Sequence, residues 1–170
     1  WSSDVCSSDL WAPLMGNSYN ARVVQWSKGE YADANNKQDD IAIIAANKGV
    51  GFAPTTDAPN ATIDAGSFRI ASVITNERDV KTYNILATAA GTLALNFEPA
   101  AWGSADACLT LVDASGAVVA SGSQNLVQTA TLAATVRPGT YQVIVAGTGD
   151  TTGYSAYGSV GRFMLTGSLR

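Results

Sequence analysis

Residues 107–116 read Ala-Cys-Leu-Thr-Leu-Val-Asp-Ala-Ser-Gly, and this stretch decides the fold. In an extended strand successive side chains point to opposite faces, so Leu109 and Leu111 share one face and Cys108 lies on the other. The Asp-Ala-Ser-Gly sequence at 113–116 is typical of a tight turn. We therefore predict a β-strand over 107–112 with its leucine face in a core, and an unpaired Cys108 thiol on the other face.

The same period of two recurs across the second half of the chain. Tyr141, Val143 and Val145 alternate with more polar positions, and we expect their face to point inward. Further strands are predicted at 67–74, 79–87, 92–97, 117–121, 126–136, 140–146 and 161–168. Short strands at this spacing predict a mainly β fold, an antiparallel β-sandwich of the jelly-roll type.

Composition limits what the chain can be. Its 170 residues are 46% hydrophobic and 14% charged, which suits one sandwich domain with a smaller appendage. The net charge of −4 argues against a nucleic-acid partner, because phosphate neutralisation needs clustered Lys and Arg. No apolar run is long enough to span a bilayer. The Ala, Gly, Thr, Ser and Asn content favours an exported bacterial protein, secreted to the extracellular space.

The chain contains no histidine. We therefore expect it to have no enzymatic activity by itself and to bind no cofactor or catalytic metal.

The first half divides into three parts. Residues 1–10 resemble the translation of a sequencing-adapter oligonucleotide, and we interpret them as an assembly artefact, which makes a Cys6–Cys108 disulfide an unfavoured pairing. Residues 11–50 are irregular and aromatic and end in one short helix. Residues 51–65, rich in Pro, Thr and Asn, are predicted to be a linker, and 66–170 the sandwich.

The helix is predicted over 37–48. Asn35 or Asn36 is the expected N-cap, and Asp39 and Asp40 are expected in the first turn, where the helix dipole favours acidic groups. Gly49 suits the left-handed position after the last turn. The residues predicted to share a buried face are Ile41, Ile44 and Ala45.

The sequence of residues 11–50 resembles the end of the catalytic domain in secreted bacterial zinc metalloproteases of the metzincin type. The resemblance lies in Trp-Ala-Pro-Leu-Met-Gly at 11–16 and Val-Gln-Trp-Ser-Lys-Gly-Glu-Tyr at 24–31. It implies that Met15 is the Met-turn methionine, an apolar floor beneath zinc in the full-length parent, and that 17–19 wall the substrate pocket. The three histidine ligands and the glutamate base of that family are absent, and Glu30 does not replace the base.

Residues 66–169 resemble a bacterial pre-peptidase C-terminal domain, a sandwich appended to secreted peptidases. The resemblance rests on Asp-Val-Lys-Thr-Tyr at 79–83, Pro-Gly-Thr-Tyr-Gln-Val at 138–143 and Gly-Tyr-Ser-Ala-Tyr-Gly at 153–158. It implies the possibility of a calcium site, but Lys81 stands where relatives often carry an acid. The aspartates at 79, 106, 113 and 150 fit turn and strand-end chemistry better than calcium ligation.

The resemblances imply the non-catalytic C-terminal part of a secreted zinc endopeptidase. Its sandwich would be an accessory domain for substrate binding, export or processing, and its protein or peptide substrate would be cleaved by the missing catalytic domain. The alternative is a stand-alone module that binds carbohydrate or protein, such as a polysaccharide or matrix protein.

For that alternative the possible binding surface is Tyr154 and Tyr157, joined by Trp102, although the sequence favours a role for these rings as plugs at the ends of the sandwich. Without the rest of a catalytic domain, we expect Trp11, Trp26 and the helix to be loosely held or folded back onto the sandwich.

Overall fold

In the computed structural model, the structure describes residues 11–16, 18–31, 33–47, 62–64, 66–123, 128–149 and 154–170, with 62–64 as backbone only. The predicted artefact at 1–10 and most of the predicted linker at 51–65 lie outside the described residues. The same is true of Gly49 and Asp150.

Within that part of the chain there are eleven strands and one α-helix. The strands are β1 (Trp11–Pro13), β2 (Val23–Gln25), β3 (Thr62–Asp64), β4 (Ser67–Ile74), β5 (Val80–Ala87), β6 (Gly91–Pro99), β7 (Ala107–Asp113), β8 (Val118–Gly122), β9 (Ala130–Val136), β10 (Gly139–Gly147) and β11 (Gly161–Leu169). The helix is α1 (Asp40–Ala46), and a 3₁₀ turn spans Ala156–Gly158. None of these helical elements has the length or hydrophobicity to span a membrane.

Nine of the strands form two sheets packed face to face. One sheet has the order β3-β5-β10-β7-β8 and the other β4-β11-β6-β9. Every pairing in them is antiparallel except β3 with β5. The predicted mainly β, antiparallel sandwich is confirmed.

The core lies between the sheets and is built from the inward face of each strand. Leu109 and Leu111 are fully buried, and so are Val143 and Val145 opposite them on β10. Cys108 is half-buried on the other face and is a free thiol. The predicted inward faces of β7 and β10 are therefore confirmed, although Tyr141 at the strand end is only partly buried.

The predicted boundary of the sandwich at residue 66 is wrong. Residues Thr62–Asp64 form β3, which pairs in parallel with Asn84 to Leu86 of β5 and joins the five-stranded sheet. A three-residue strand among Pro, Thr and Asn is too short to show a period of two, so sequence pattern alone misses it.

The predicted start of the helix is also wrong. Asp39 is the N-cap: its side chain accepts a 2.7 Å hydrogen bond from the Ala42 N–H, and α1 begins at Asp40. Asn36 instead accepts from Gln38 N–H at 3.0 Å, which forms a turn before the helix. Ile41 and Ile44 are half-buried as expected, whereas Ala45 is exposed.

Candidate functional site

The segment 11–47 packs against one end of the sandwich, and we call this contact the junction. Trp11 is buried and its ring stacks on that of Tyr154, with centroids 5.6 Å apart and planes 8° from parallel. The Tyr31 ring packs edge-to-face with that of Trp11, with centroids 5.2 Å apart and planes at 62°. The Tyr154 hydroxyl donates a 2.7 Å hydrogen bond to buried Asp106 of the sandwich. The segment is thus folded back onto the sandwich, as one of the two sequence-based alternatives stated.

Gln25 is the polar centre of the junction and has no solvent exposure. Its amide oxygen accepts a 3.0 Å hydrogen bond from Trp11 Nε1. Its amide nitrogen donates to the Ser104 carbonyl at 2.8 Å and to Ser159 Oγ at 3.1 Å. One side chain of the segment therefore joins two loops of the sandwich, 79 and 134 residues away in sequence.

The two parts approach closely at Gly158. A Cβ atom added there would lie 2.5 Å from the Trp26 carbonyl oxygen and 2.8 Å from the Gln25 Cβ. Those distances are well inside van der Waals contact, so the position accommodates only glycine while the junction is closed.

Tyr157 fastens the start of α1 to the sandwich. Its hydroxyl donates to Asp39 Oδ1 and accepts a 3.1 Å hydrogen bond from the Ile41 N–H. Lys28 lies over the ring, with Nζ 4.5 Å from the centroid, and bonds Glu77 of the sandwich at 3.1 Å. The helix N-terminus is therefore held by a hydroxyl from a loop more than 100 residues away.

The carboxyl groups at this point are perturbed in opposite directions. The hydrogen bond from Tyr157, helped by that from Ala42 N–H, lowers the pKa of Asp39 below its ordinary value. Burial raises the pKa of the adjacent Asp40, and Ser27 N–H only partly offsets this. Burial, followed by the bond to Asp39, raises the pKa of Tyr157 well above its ordinary value.

Tyr154 and Tyr157 do not form an exposed surface. They are only 5% and 8% exposed, and both hydroxyls are hydrogen-bonded to the chain's own aspartates. The predicted binding surface is wrong in this respect, because both rings are covered by the segment 11–47 folded back on them. They close the end of the sandwich, which is the role that the sequence favours for them.

Met15 lies in a tight turn after β1, closed by a 3.0 Å hydrogen bond from Gly16 N–H to the Pro13 carbonyl. Its side chain is 66% exposed. Beside it is a small cleft, also lined by Ser27, Tyr31 and Asp40. The Met-turn role of Met15 in a parent protein remains a prediction.

Among the described residues, Asp79 and Asp113 are engaged by hydrogen bonds within their own turns. No three His, Cys, Asp or Glu side chains in that part of the chain come together as a set of ligands. Asp79 accepts from the Thr75 N–H and hydroxyl at 2.8 Å and pairs with Lys81 at 3.2 Å. Burial raises the pKa of Asp79, but these bonds together outweigh burial and lower it. Asp113 likewise closes its own turn, accepting from Ser115 N–H at 2.9 Å.

Trp102 is the one member of the predicted aromatic group that the structure leaves exposed. It lies in the turn after β6, where Gly103 N–H donates to the Ala100 carbonyl at 2.7 Å. Its side chain is fully exposed at 103%, and its backbone is left-handed with φ of +63°.

An open depression of about 480 Å³ lies on the outer face of the four-stranded sheet. One row across this sheet pairs Ser67, Ser168, Ala94 and Ala133, one from each strand. The depression follows from the small side chains of this row, and its lining carries no formal charge.

No protein-family model matches the chain, and no curated protein matches it. Among solved structures it is similar to the pre-peptidase C-terminal domain of a collagenase from Bacillus anthracis, at 15% identity and a TM-score of 0.47 over 65% of this chain and 94% of that one. It is also similar to PliG, a periplasmic inhibitor of g-type lysozyme, from Aeromonas hydrophila (16% identity, TM-score 0.45) and from Salmonella Typhimurium (16%, 0.42). Both cover 65% of this chain and 97% of their own. At these identities the likenesses concern the fold alone.

Proposed function

We propose that the chain is the non-catalytic C-terminal part of a secreted zinc-dependent endopeptidase, with the sandwich as its accessory domain. The observation that carries the proposal is the junction. Segment 11–47 is held on the sandwich by the buried Gln25 and by Tyr157. Its sequence resembles the end of a metzincin catalytic domain. Such an attachment would fix the sandwich at a constant position beside a catalytic domain.

The zinc of this proposal would be bound by histidines outside the chain, since the chain has none. The test of the chain itself is a casein-cleavage assay with added zinc. We expect no cleavage above buffer. Zinc-dependent cleavage that a chelator abolishes would contradict the proposal.

The proposal that the chain comes from a longer zinc endopeptidase is tested by sequencing the source DNA upstream of the Trp11 codon. A continuous frame that contains His-Glu-x-x-His and a third histidine is the expected result. A frame that lacks this motif would overturn the endopeptidase and leave the second candidate.

The second candidate is a stand-alone carbohydrate- or protein-binding sandwich. The full exposure of Trp102 favours it, because large apolar side chains exposed on rigid loops are common in binding surfaces. The two candidate functions differ in whether the reading frame upstream of Trp11 encodes a zinc-binding motif. Both allow the sandwich to bind a ligand.

A further inference from the structure

We propose that Trp102 is the ligand-contacting residue of a carbohydrate site, which stacks one face of its indole ring on a sugar ring of a neutral polysaccharide. The inference rests on the binding role proposed above for the sandwich and gives that role a residue and a class of ligand. It depends on three features of the turn: the exposure of the ring, the conformation of its backbone and the bonds that brace it.

The indole ring has no contact that would explain its presence as packing. At 103% exposure, Trp102 is the most exposed of the large hydrophobic side chains in the described residues. The residues beside it in the turn are Ala101 and Gly103, whose side chains are too small to cover either face of the ring.

The backbone of Trp102 is in a conformation that disfavours a bulky residue. Two non-glycine residues among those described have a positive φ, Asp33 and Trp102. Aspartate enters the left-handed region readily, whereas a large side chain rarely does. Since the turn places a positive φ at its third residue, glycine would fit without strain. Strain at a residue that makes no stabilising contact is typical of functional positions.

The turn is braced on both sides, which fixes the backbone of Trp102 and the direction in which its side chain leaves the turn. Ala100 N–H donates to the Arg162 carbonyl at 2.8 Å, and the Gln128 amide donates to the Gly103 carbonyl at 2.9 Å. The next carbonyl, that of Ser104, accepts from Gln25 of the junction. Because the backbone is already ordered, ligand binding at this turn costs only the rotamer freedom of the Trp102 side chain.

These surroundings fit a sugar better than a protein partner. Protein hot spots are enclosed by neighbours that exclude water, and the small residues around Trp102 exclude none. A pyranose needs only an open aromatic face against its C–H groups. Residues 99–105 carry no charge, and the exposed Glu98 and Arg162 that flank the turn are of opposite sign, which favours a neutral polysaccharide over an acidic one. The net charge of −4 disfavours an anionic membrane surface.

The test is sedimentation of the full chain with insoluble cellulose and with chitin, and with gelatin-agarose as the protein arm. We expect retention on cellulose or chitin and at least a tenfold loss of it in Trp102→Ala. Tyr19→Ala is the matched control, because Tyr19 is 96% exposed but lies outside the turn and has no positive φ. We expect that variant to be retained as the wild type is.

A second variant separates a loss of binding from a loss of folding. Trp102→Gly relieves the backbone strain, so we expect it to melt roughly 2–4 °C higher while retention is lost. Melting at or below the wild-type temperature would overturn the strain argument. Retention on neither glycan, retention unchanged in Trp102→Ala, or retention on gelatin alone would overturn the carbohydrate site. None of these results affects the casein assay or the DNA sequencing upstream of Trp11. The carbohydrate site and the endopeptidase proposal can therefore be contradicted independently.

Discussion

Gln25 is a polar side chain at the centre of an apolar junction, and its stability there depends on satisfying its whole amide group. In water the amide would be fully hydrogen-bonded, so burial is tolerated only because Trp11, Ser104 and Ser159 replace those bonds. Removing the amide would leave the Trp11 N–H and the Ser104 carbonyl without these partners in a buried site.

We predict that Gln25→Met, which keeps most of the side-chain volume, lowers the free energy of unfolding by about 2–4 kcal/mol. Urea denaturation measures the change. Gln142→Met is the matched control: Gln142 is exposed on β10, so the same substitution should change stability by less than about 0.5 kcal/mol. Equal effects at both positions would show that the junction contributes nothing through Gln25.

We predict that Tyr157→Phe lowers the free energy of unfolding by about 1–2 kcal/mol at neutral pH, and by less at both extremes of pH. The pKa of Asp39 is lowered, so its contribution exists above the ordinary value of 3.8 and is lost as pH falls through the lowered value. The pKa of Tyr157 is raised, so its contribution exists below the ordinary value of 10.0 and is lost as pH rises through the raised value.

The measurement is the difference in unfolding free energy between wild type and Tyr157→Phe from acid to alkaline pH. Tyr19→Phe serves as control, since Tyr19 is almost fully exposed. A difference that stays constant with pH would show that the bond between Tyr157 and Asp39 does not link the segment to the sandwich.

Among the elements, α1 is too short to be stable by itself and depends on its cap and on its contact with Tyr157. A seven-residue helix lies well below the length at which isolated helices form in water. Asp39 serves both needs, because one carboxylate oxygen accepts from Ala42 N–H and from the Tyr157 hydroxyl.

We predict that Asp39→Ala costs about 1–2 kcal/mol in thermal or urea unfolding, whereas Asn36→Ala costs less than about 0.5 kcal/mol. The pair separates the cap found in the structure from the one expected from sequence. A larger loss of unfolding free energy in Asn36→Ala than in Asp39→Ala would indicate that Asn36 is the N-cap, as the sequence predicts.

The strands were predictable because they repeat a local pattern, and the failures occur where that pattern is short or ambiguous. β7 and β10 alternate over seven and nine residues, so their inward faces follow directly from sequence. β3 has three residues and shows no period. At the helix start Asn35, Asn36 and Asp39 are all good caps, and only the tertiary contact with Tyr157 selects Asp39.

At the scale of the whole molecule, the segment and the sandwich should unfold together. Of the tryptophans in the described residues, Trp11 and Trp26 belong to segment 11–47 and Trp102 is already fully exposed, so the fluorescence change on unfolding reports mainly on the junction. Far-ultraviolet circular dichroism reports mainly on the two sheets. We predict that the two signals give coincident urea transitions in the wild type. Separate transitions would show that the sandwich folds independently of the segment.

We predict that Gly158→Ala uncouples those transitions, so that fluorescence changes at lower urea than circular dichroism. The new methyl group would overlap the Trp26 carbonyl and force the junction apart. Gly66→Ala is the control, because a Cβ there meets nothing within 4 Å. Coincident transitions in Gly158→Ala would contradict the close approach at this position.

The candidate site was less predictable than the fold because long-range contacts create it. Gln25 has the sequence appearance of a polar loop residue, and nothing local signals that Ser104 and Ser159 will meet it. Tyr154 and Tyr157 stand out in the sequence as aromatic residues in a polar loop, but only the return of the segment decides that they are buried. For Trp102 a signal exists in the sequence: a bulky residue stands directly before Gly103, just after a predicted strand.

The pairing of β3 with β5 also affects how the sandwich can be separated from the rest of the chain. A polypeptide cut at Gly66, where composition places the boundary, would lose β3 and expose the backbone N–H and C=O groups of Asn84 to Leu86. An uncovered strand edge is a template for pairing with another chain. Self-association and poor solubility of such a shortened protein would then reflect the position of the cut and not an oligomeric state of the native molecule.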